Sequence, residues 1–175
     1  MLLIPPSTHP DTRALYHISA HSNPFMPSSS VTTLTRGPTA EIGEEVGEFE
    51  TGCGRAKMPT VTIGGKQDLL DAILVDDEGD GERYIWRLPP FRPTLYLFWD
   101  YHSFPFECHL GGRNGAHLAT FTPDRKSRGN THSQRLATLR VLPMGFKRID
   151  EILLSLLAIE WWRVASHSSA YGGEM

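Results

Sequence analysis

The segment Arg148-Ile149-Asp150-Glu151-Ile152-Leu153-Leu154-Ser155-Leu156-Leu157-Ala158-Ile159-Glu160-Trp161-Trp162-Arg163 constrains this chain most. It reads as one helix whose large apolar residues point in nearly every direction. At about 100° per residue, Ile149, Ile152, Leu156 and Ile159 cover one side, and Leu154, Leu157 and Trp161 cover the opposite side. A helix that is hydrophobic all round is buried, in protein or in a bilayer. The bilayer is excluded because Glu151, Glu160 and Arg163 interrupt a run that would need about 20 apolar residues. The helix therefore calls for protein around it, with Leu153, Leu156, Leu157 and Trp161 almost inaccessible to solvent.

Upstream of this helix the chain favours short strands. Among 175 residues, 16 Gly and 13 Pro suit many turns better than a helical bundle. Ala14–Ser19, Val31–Arg36, Glu45–Glu50, Thr60–Ile63, Arg83–Leu88, Thr94–Trp99, Ala116–Phe121 and Leu136–Val141 carry alternation or β-branched runs and are expected to be strands. Ser22–Ser30 holds two prolines and four serines and reads as a loop. Leu69–Val75 fits a short helix and a buried strand equally well. Asp80-Gly81 signals a tight hairpin turn, which places Tyr84 and Trp86 on an inner face and Arg83, Ile85 and Arg87 on the outer one. Pro143-Met144-Gly145 breaks the chain before the helix. The expected fold is mainly β: an antiparallel, barrel-like sheet around a buried hydrophobic C-terminal helix. Residues 14–164 are expected to form one domain, with a disordered arm over 1–13 and a disordered tail over 165–175.

A net charge of -3 gives no global attraction to nucleic acid or anionic lipid. Cys53 and Cys108 are too few for a disulfide framework and sit in no C-x-x-C pair, which fits free thiols in a reducing compartment. Met1–Pro6 lacks a basic n-region and an apolar h-region long enough for a signal peptide. An intracellular, cytoplasmic protein without a transmembrane segment is expected.

Three stretches then carry a family resemblance. They are Thr32–Arg36 with Glu44–Glu50, then Gly79–Arg87, then His117–Phe121 with Leu139–Pro143 and Ile149–Glu160. Together they resemble the DUF6593-type domain of mushroom-forming fungi, a family of unknown function, over roughly residues 14–164. That family is similar, more weakly, to tubby-like and LURP-one barrels, in which strands enclose a C-terminal helix. The resemblance therefore implies the architecture that the helix demands, and it brings no catalytic residues. The stretch Asp100–Asn114, with Cys108-His109, and the N-terminal arm depart from the family pattern.

Candidate chemistry is thin. His102, Cys108, His109 and His117 fall close together, but zinc sites favour tight pairs, and adjacent residues of an extended chain face opposite sides. Surface-loop residues with no metal are the expectation. No nucleophile elbow accompanies Cys108, so no catalytic residue is assigned. Asp76–Gly81 resembles the start of a calcium loop, yet Arg87 stands where a Glu is needed, and a hairpin turn fits better. The four Trp, with Tyr84 and Tyr96, fit core packing better than a ligand pocket. The sharpest surface feature is Arg125, Lys126 and Arg128, three cations in four residues. Such a cluster fits a solvated hairpin loop, and it also suits anionic phospholipid head groups, with Ser127 inside it as a phosphorylation switch. Without interleaved aromatics it does not suit nucleic acid. The expectation is a non-enzymatic binding module, without cofactor, that contacts anionic lipid through Arg125, Lys126 and Arg128. The alternatives are a protein–protein scaffold with no small ligand and an enzyme that uses Cys108 and a histidine.

Overall fold

The computed structural model describes residues 2–3, 15–37, 39, 41–52, 58–79, 81–88, 95–124 and 137–170. The chain is mainly β and divides into two compact units, residues 1–72 and 73–175. Each unit holds a six-stranded sheet in which every strand pairs antiparallel with its neighbour in sequence.

The first sheet runs β1 (Leu2–Leu3), β2 (Tyr16–Asn23), β3 (Met26–Arg36), β4 (Glu44–Gly52), β5 (Thr60–Ile63) and β6 (Lys66–Leu69). Alternation on β4 works as expected. Gly47 and Phe49 are buried while Glu44 and Glu45 are exposed, and Phe49 stands between Thr32 of β3 and Val61 of β5. The Ser22–Ser30 stretch is not a loop. Only Pro24-Phe25 turn, and Met26–Ser30 belong to β3. Ser29 is buried and donates to the Glu50 carboxylate at 2.7 Å, and Asn23 Nδ2 donates to the same oxygen at 2.6 Å. Those bonds satisfy polar side chains that would otherwise favour a turn. The ambiguous 69–75 run proves to be both alternatives in succession, a helical turn α1 (Leu70–Ile73) followed by β7 (Leu74–Asp76).

The second sheet continues with β8 (Arg83–Arg87), β9 (Tyr96–Asp100), β10 (Phe106–Leu110), β11 (Ala116–Thr122) and β12 (Thr138–Val141). The β7–β8 hairpin forms where expected, with Asp76 opposite Tyr84. Its connection spans Asp77–Glu82 rather than a two-residue turn, and Asp80 lies outside the described residues. Asp76 accepts the backbone N–H groups of Gly79 and Gly81 at 2.9 and 3.0 Å. Its carboxylate thus closes the turn, as the hairpin reading of the acidic run requires. Tyr84 and Trp86 are buried, and Arg83, Ile85 and Arg87 lie on the opposite, partly exposed face. Strand β10 lies within Asp100–Asn114, a stretch for which the sequence predicts no strand.

A 3₁₀ turn (Pro143–Arg148) leads into α2 (Ile149–Ala170). Gly145 lets that turn lie against β11, because a Cβ there would come within 2.4 Å of the Leu118 carbonyl oxygen. The helix starts with Asp150 and Glu151 in its first turn, where carboxylates complement the helix dipole. It runs past Arg163 to Ala170, since no Gly or Pro interrupts the sequence before Gly172. Ile152, Leu153, Leu154, Leu156, Ala158 and Ile159 are buried, which covers most of the circumference. Leu157 and Trp161, expected to be inaccessible, are half-buried. Both lie on the side that carries Asp150, Glu160 and the exposed Val164, where polar groups keep solvent access. Trp99 fastens helix to sheet: its indole N–H donates to Ser155 Oγ at 2.9 Å, and that hydroxyl donates to the Ile152 carbonyl at 3.0 Å. Further along α2, the Arg163 guanidinium lies 4.5 Å from the Tyr101 ring centroid. No helix among the described residues is long and apolar enough to cross a membrane.

Candidate functional site

Strand alternation in the second sheet separates an apolar face from a chemically richer one. The indole of Trp99 and the thiol of Cys108 are fully buried, and these residues pair across β9 and β10. On the other face, register sets two rows across the strands. One runs Ile85, Phe98, His109, His117, and the next runs Arg83, Asp100, Glu107, Thr120. These rows depend on a β-bulge where β10 meets β11, since Cys108 pairs with Ala119 but His109 pairs with His117. The extra residue is Leu118, buried together with Ala119. Without it, Leu118 would stand opposite His109 and point outward with it. The bulge turns Leu118 inward and sets His117 beside His109.

The two imidazoles stack with centroids 4.9 Å apart and planes 14° from parallel. His109 Nε2 lies 3.1 Å from Glu107 Oε2, and its Nδ1 lies 3.3 Å from the Gly115 carbonyl oxygen. His117 Nε2 lies 3.0 Å from the Ala119 carbonyl oxygen. Potential ligand atoms of Glu107, His109 and His117 all fall within 4.8 Å of one another. Gly115 fixes the carbonyl that orients His109. Its N–H donates to the Gly112 carbonyl at 2.8 Å, and a Cβ there would sit 1.8 Å from the Leu110 oxygen. No other residue type fits that close approach of backbone to backbone.

Beside this cluster lies an open cavity of about 260 Å³. Ile85, Tyr96 and Phe98 give it apolar walls, and Glu78, Arg83 and Arg113 give it charge. Arg113, on the β10–β11 connection, pairs at 3.4 Å with the buried Asp100 carboxylate.

A family model described as a family of unknown function (DUF6593) matches residues 6–164. The chain belongs to the DUF6593 family. No curated protein and no solved structure matches it.

In this DUF6593 chain the four residues grouped from sequence do not stay together. Cys108 faces away from His109, as alternation requires of neighbours in a strand. Burial pushes the Cys108 thiol well above its ordinary pKa, which disfavours the thiolate that a nucleophile or a metal ligand needs. His102 leaves the group and pairs through Nδ1 with Glu82 at 2.7 Å. His109 and His117 remain, His117 on a strand as expected and His109 on β10 rather than on a surface loop. Their third partner, Glu107, escaped notice, although Glu107-x-His109 is a same-face pair as soon as Phe106–Leu110 is taken as a strand. Arg125, Lys126 and Arg128, with Ser127 and Cys53, lie outside the described residues. Cys108 is expected to resist a thiol reagent in the native protein and to react quickly once denaturant is added, measured in a Cys53→Ser background. Rapid native labelling would restore the cysteine-nucleophile reading.

Proposed function

We propose that this chain is a non-enzymatic binding module of a fungal, cytoplasmic protein, and that Arg125, Lys126 and Arg128 contact anionic phospholipid head groups. The observation that carries the non-enzymatic part is the seclusion of Cys108. Cys108, the nucleophile of the enzyme alternative, is buried and faces away from the adjacent His109. The lipid part rests on charge clustering in the segment between β11 and β12. These strands pair with Thr122 opposite Thr138, so both flanks of the basic segment leave the sheet at a common end. A barrel-like closure around α2, as in tubby-like domains, belongs to the same proposal, and burial of the helix over most of its circumference supports it.

Each cation near an anionic surface contributes about 1 kcal/mol, so three supply roughly 3 kcal/mol, which salt erodes. In liposome co-sedimentation the wild type is expected to bind phosphoinositide-containing vesicles at low salt and to bind them less at physiological salt. An Arg125→Ala/Lys126→Ala/Arg128→Ala variant is expected to lose that binding. Equal binding by the variant, or none by the wild type, would shift the reading to a protein–protein scaffold. Met144 and Phe146, both exposed on the one 3₁₀ turn, favour that second reading, because neighbouring apolar side chains held open to solvent suit a protein contact.

A further inference from the structure

We propose that Glu107, His109 and His117 bind one divalent transition-metal ion, zinc foremost, on the outer face of the second sheet. The proposal is independent of the lipid reading and uses none of its residues.

His109 carries the argument. Both of its ring nitrogens face oxygens that act only as acceptors when Glu107 is ionised, the Gly115 carbonyl and the Glu107 carboxylate. A neutral imidazole has one N–H. If Nδ1 donates to Gly115, the Nε2 lone pair is left aimed at a carboxylate oxygen. In the other tautomer Nε2–H donates to the carboxylate and Nδ1 faces the carbonyl without a proton; a metal ion between Nε2 and the carboxylate lets both nitrogens be satisfied at once. The separation of 3.1 Å is that of a hydrogen bond, and it has to widen by only a few tenths of an ångström to hold the ion, because two ligands at zinc bond lengths of 2.0–2.2 Å in a tetrahedron lie about 3.3–3.6 Å apart.

His117 supplies the third donor. Its Nε2 is engaged with the Ala119 carbonyl, which leaves Nδ1 as the nitrogen with a lone pair to offer. Each histidine therefore spends one ring N–H on a backbone carbonyl and keeps the other nitrogen for the ion. That is the outer-shell arrangement that fixes tautomer and ring orientation in metal sites. The rings stack with planes 14° from parallel, so one of them turns about its side-chain torsion to bring its lone pair onto the shared ion. Two histidines and one carboxylate form an N₂O donor set that zinc accepts, with a fourth position open to water or a ligand. Cys108, the soft donor of the region, lies on the other side of the strand, so the site has no thiolate.

The test uses tag-free, full-length protein, stripped with a chelator and titrated with zinc by calorimetry and native mass spectrometry. One zinc ion per chain is expected. His117→Ala and Glu107→Gln are each expected to weaken binding by more than the about 10–100-fold that loss of an outer-shell partner costs. His102→Ala, on the separate Glu82 pair, is expected to leave the affinity unchanged. The near-isosteric Glu107→Gln keeps the test meaningful if His117→Ala folds poorly. Replacement of zinc by cobalt gives a second readout, since a visible absorption of tetrahedral intensity should appear in the wild type and be lost in His117→Ala. No stoichiometric zinc in the wild type overturns the proposal. So does equal affinity in wild type and Glu107→Gln, or an equal loss in His102→Ala.

Discussion

A chain ending at Arg148 is expected to lose cooperative unfolding and to precipitate or to remain as a compact, dye-binding state with native-like strand content. The reason is the scale of burial on α2. Ile152, Leu153, Leu154, Leu156 and Ile159 are all buried. At about 1.5–3 kcal/mol each, they contribute roughly 8–15 kcal/mol of gross stabilisation. That is comparable with the whole net stability of an ordinary domain, about 5–15 kcal/mol. The truncation also exposes Trp99 and its neighbours, apolar surface of the kind that binds hydrophobic dyes. Far-UV and near-UV circular dichroism with dye binding would read the outcome. A soluble fragment 1–148 with a single sharp melting transition would show that the strands do not need the helix.

Trp99→Ala is expected to have the largest effect of any single substitution in the second sheet. Truncation of a buried Trp costs about 3–5 kcal/mol, which for a chain of this size lowers Tm by roughly 6–20 °C. The indole is fully buried and is the hydrogen-bond donor to Ser155. Trp99→Phe separates the two contributions. It keeps most of the volume and is expected to lose about 1 kcal/mol for the hydrogen bond, plus a smaller packing term. A double-mutant cycle with Ser155→Ala should show coupling between the two side chains, and purely additive effects would mean the bond contributes nothing net.

The helix and most strands were legible because their signals are local. Alternation in Arg83–Leu88 located the hairpin and its buried face, and the all-round hydrophobicity of Ile149–Ile159 located the buried helix. What escaped depended on partners distant in sequence. Met26–Ser30 is full of turn-forming residues, and it becomes a strand because Glu50, far along the chain, satisfies Ser29 and Asn23. Phe106–Leu110 is flanked by Pro105 and by Gly111-Gly112, punctuation that suggested a loop. That loss hid the Glu107-x-His109 pair. His117 could not be matched to His109 in any case, because a bulge sets the register, and nothing in the alternation of Ala116–Phe121 announces one. Leu157 and Trp161 were overstated because periodicity identifies an apolar residue without revealing how much of that helix side is covered.

The sequential pairing of both sheets bears on how the chain is made. Each strand finds its partner immediately before or after it in sequence, so neither sheet has to close a long loop before its first hydrogen bonds form. Sheets of sequential hairpins have lower contact order than sheets with crossover connections, which favours faster folding. During synthesis each hairpin can therefore form as its second strand emerges. α2 follows the strands of both sheets in the chain and so leaves the ribosome after them. Until it arrives, the apolar face around Trp99 in the second sheet stays open, and the nascent chain depends on the cell to keep that face from wrong partners.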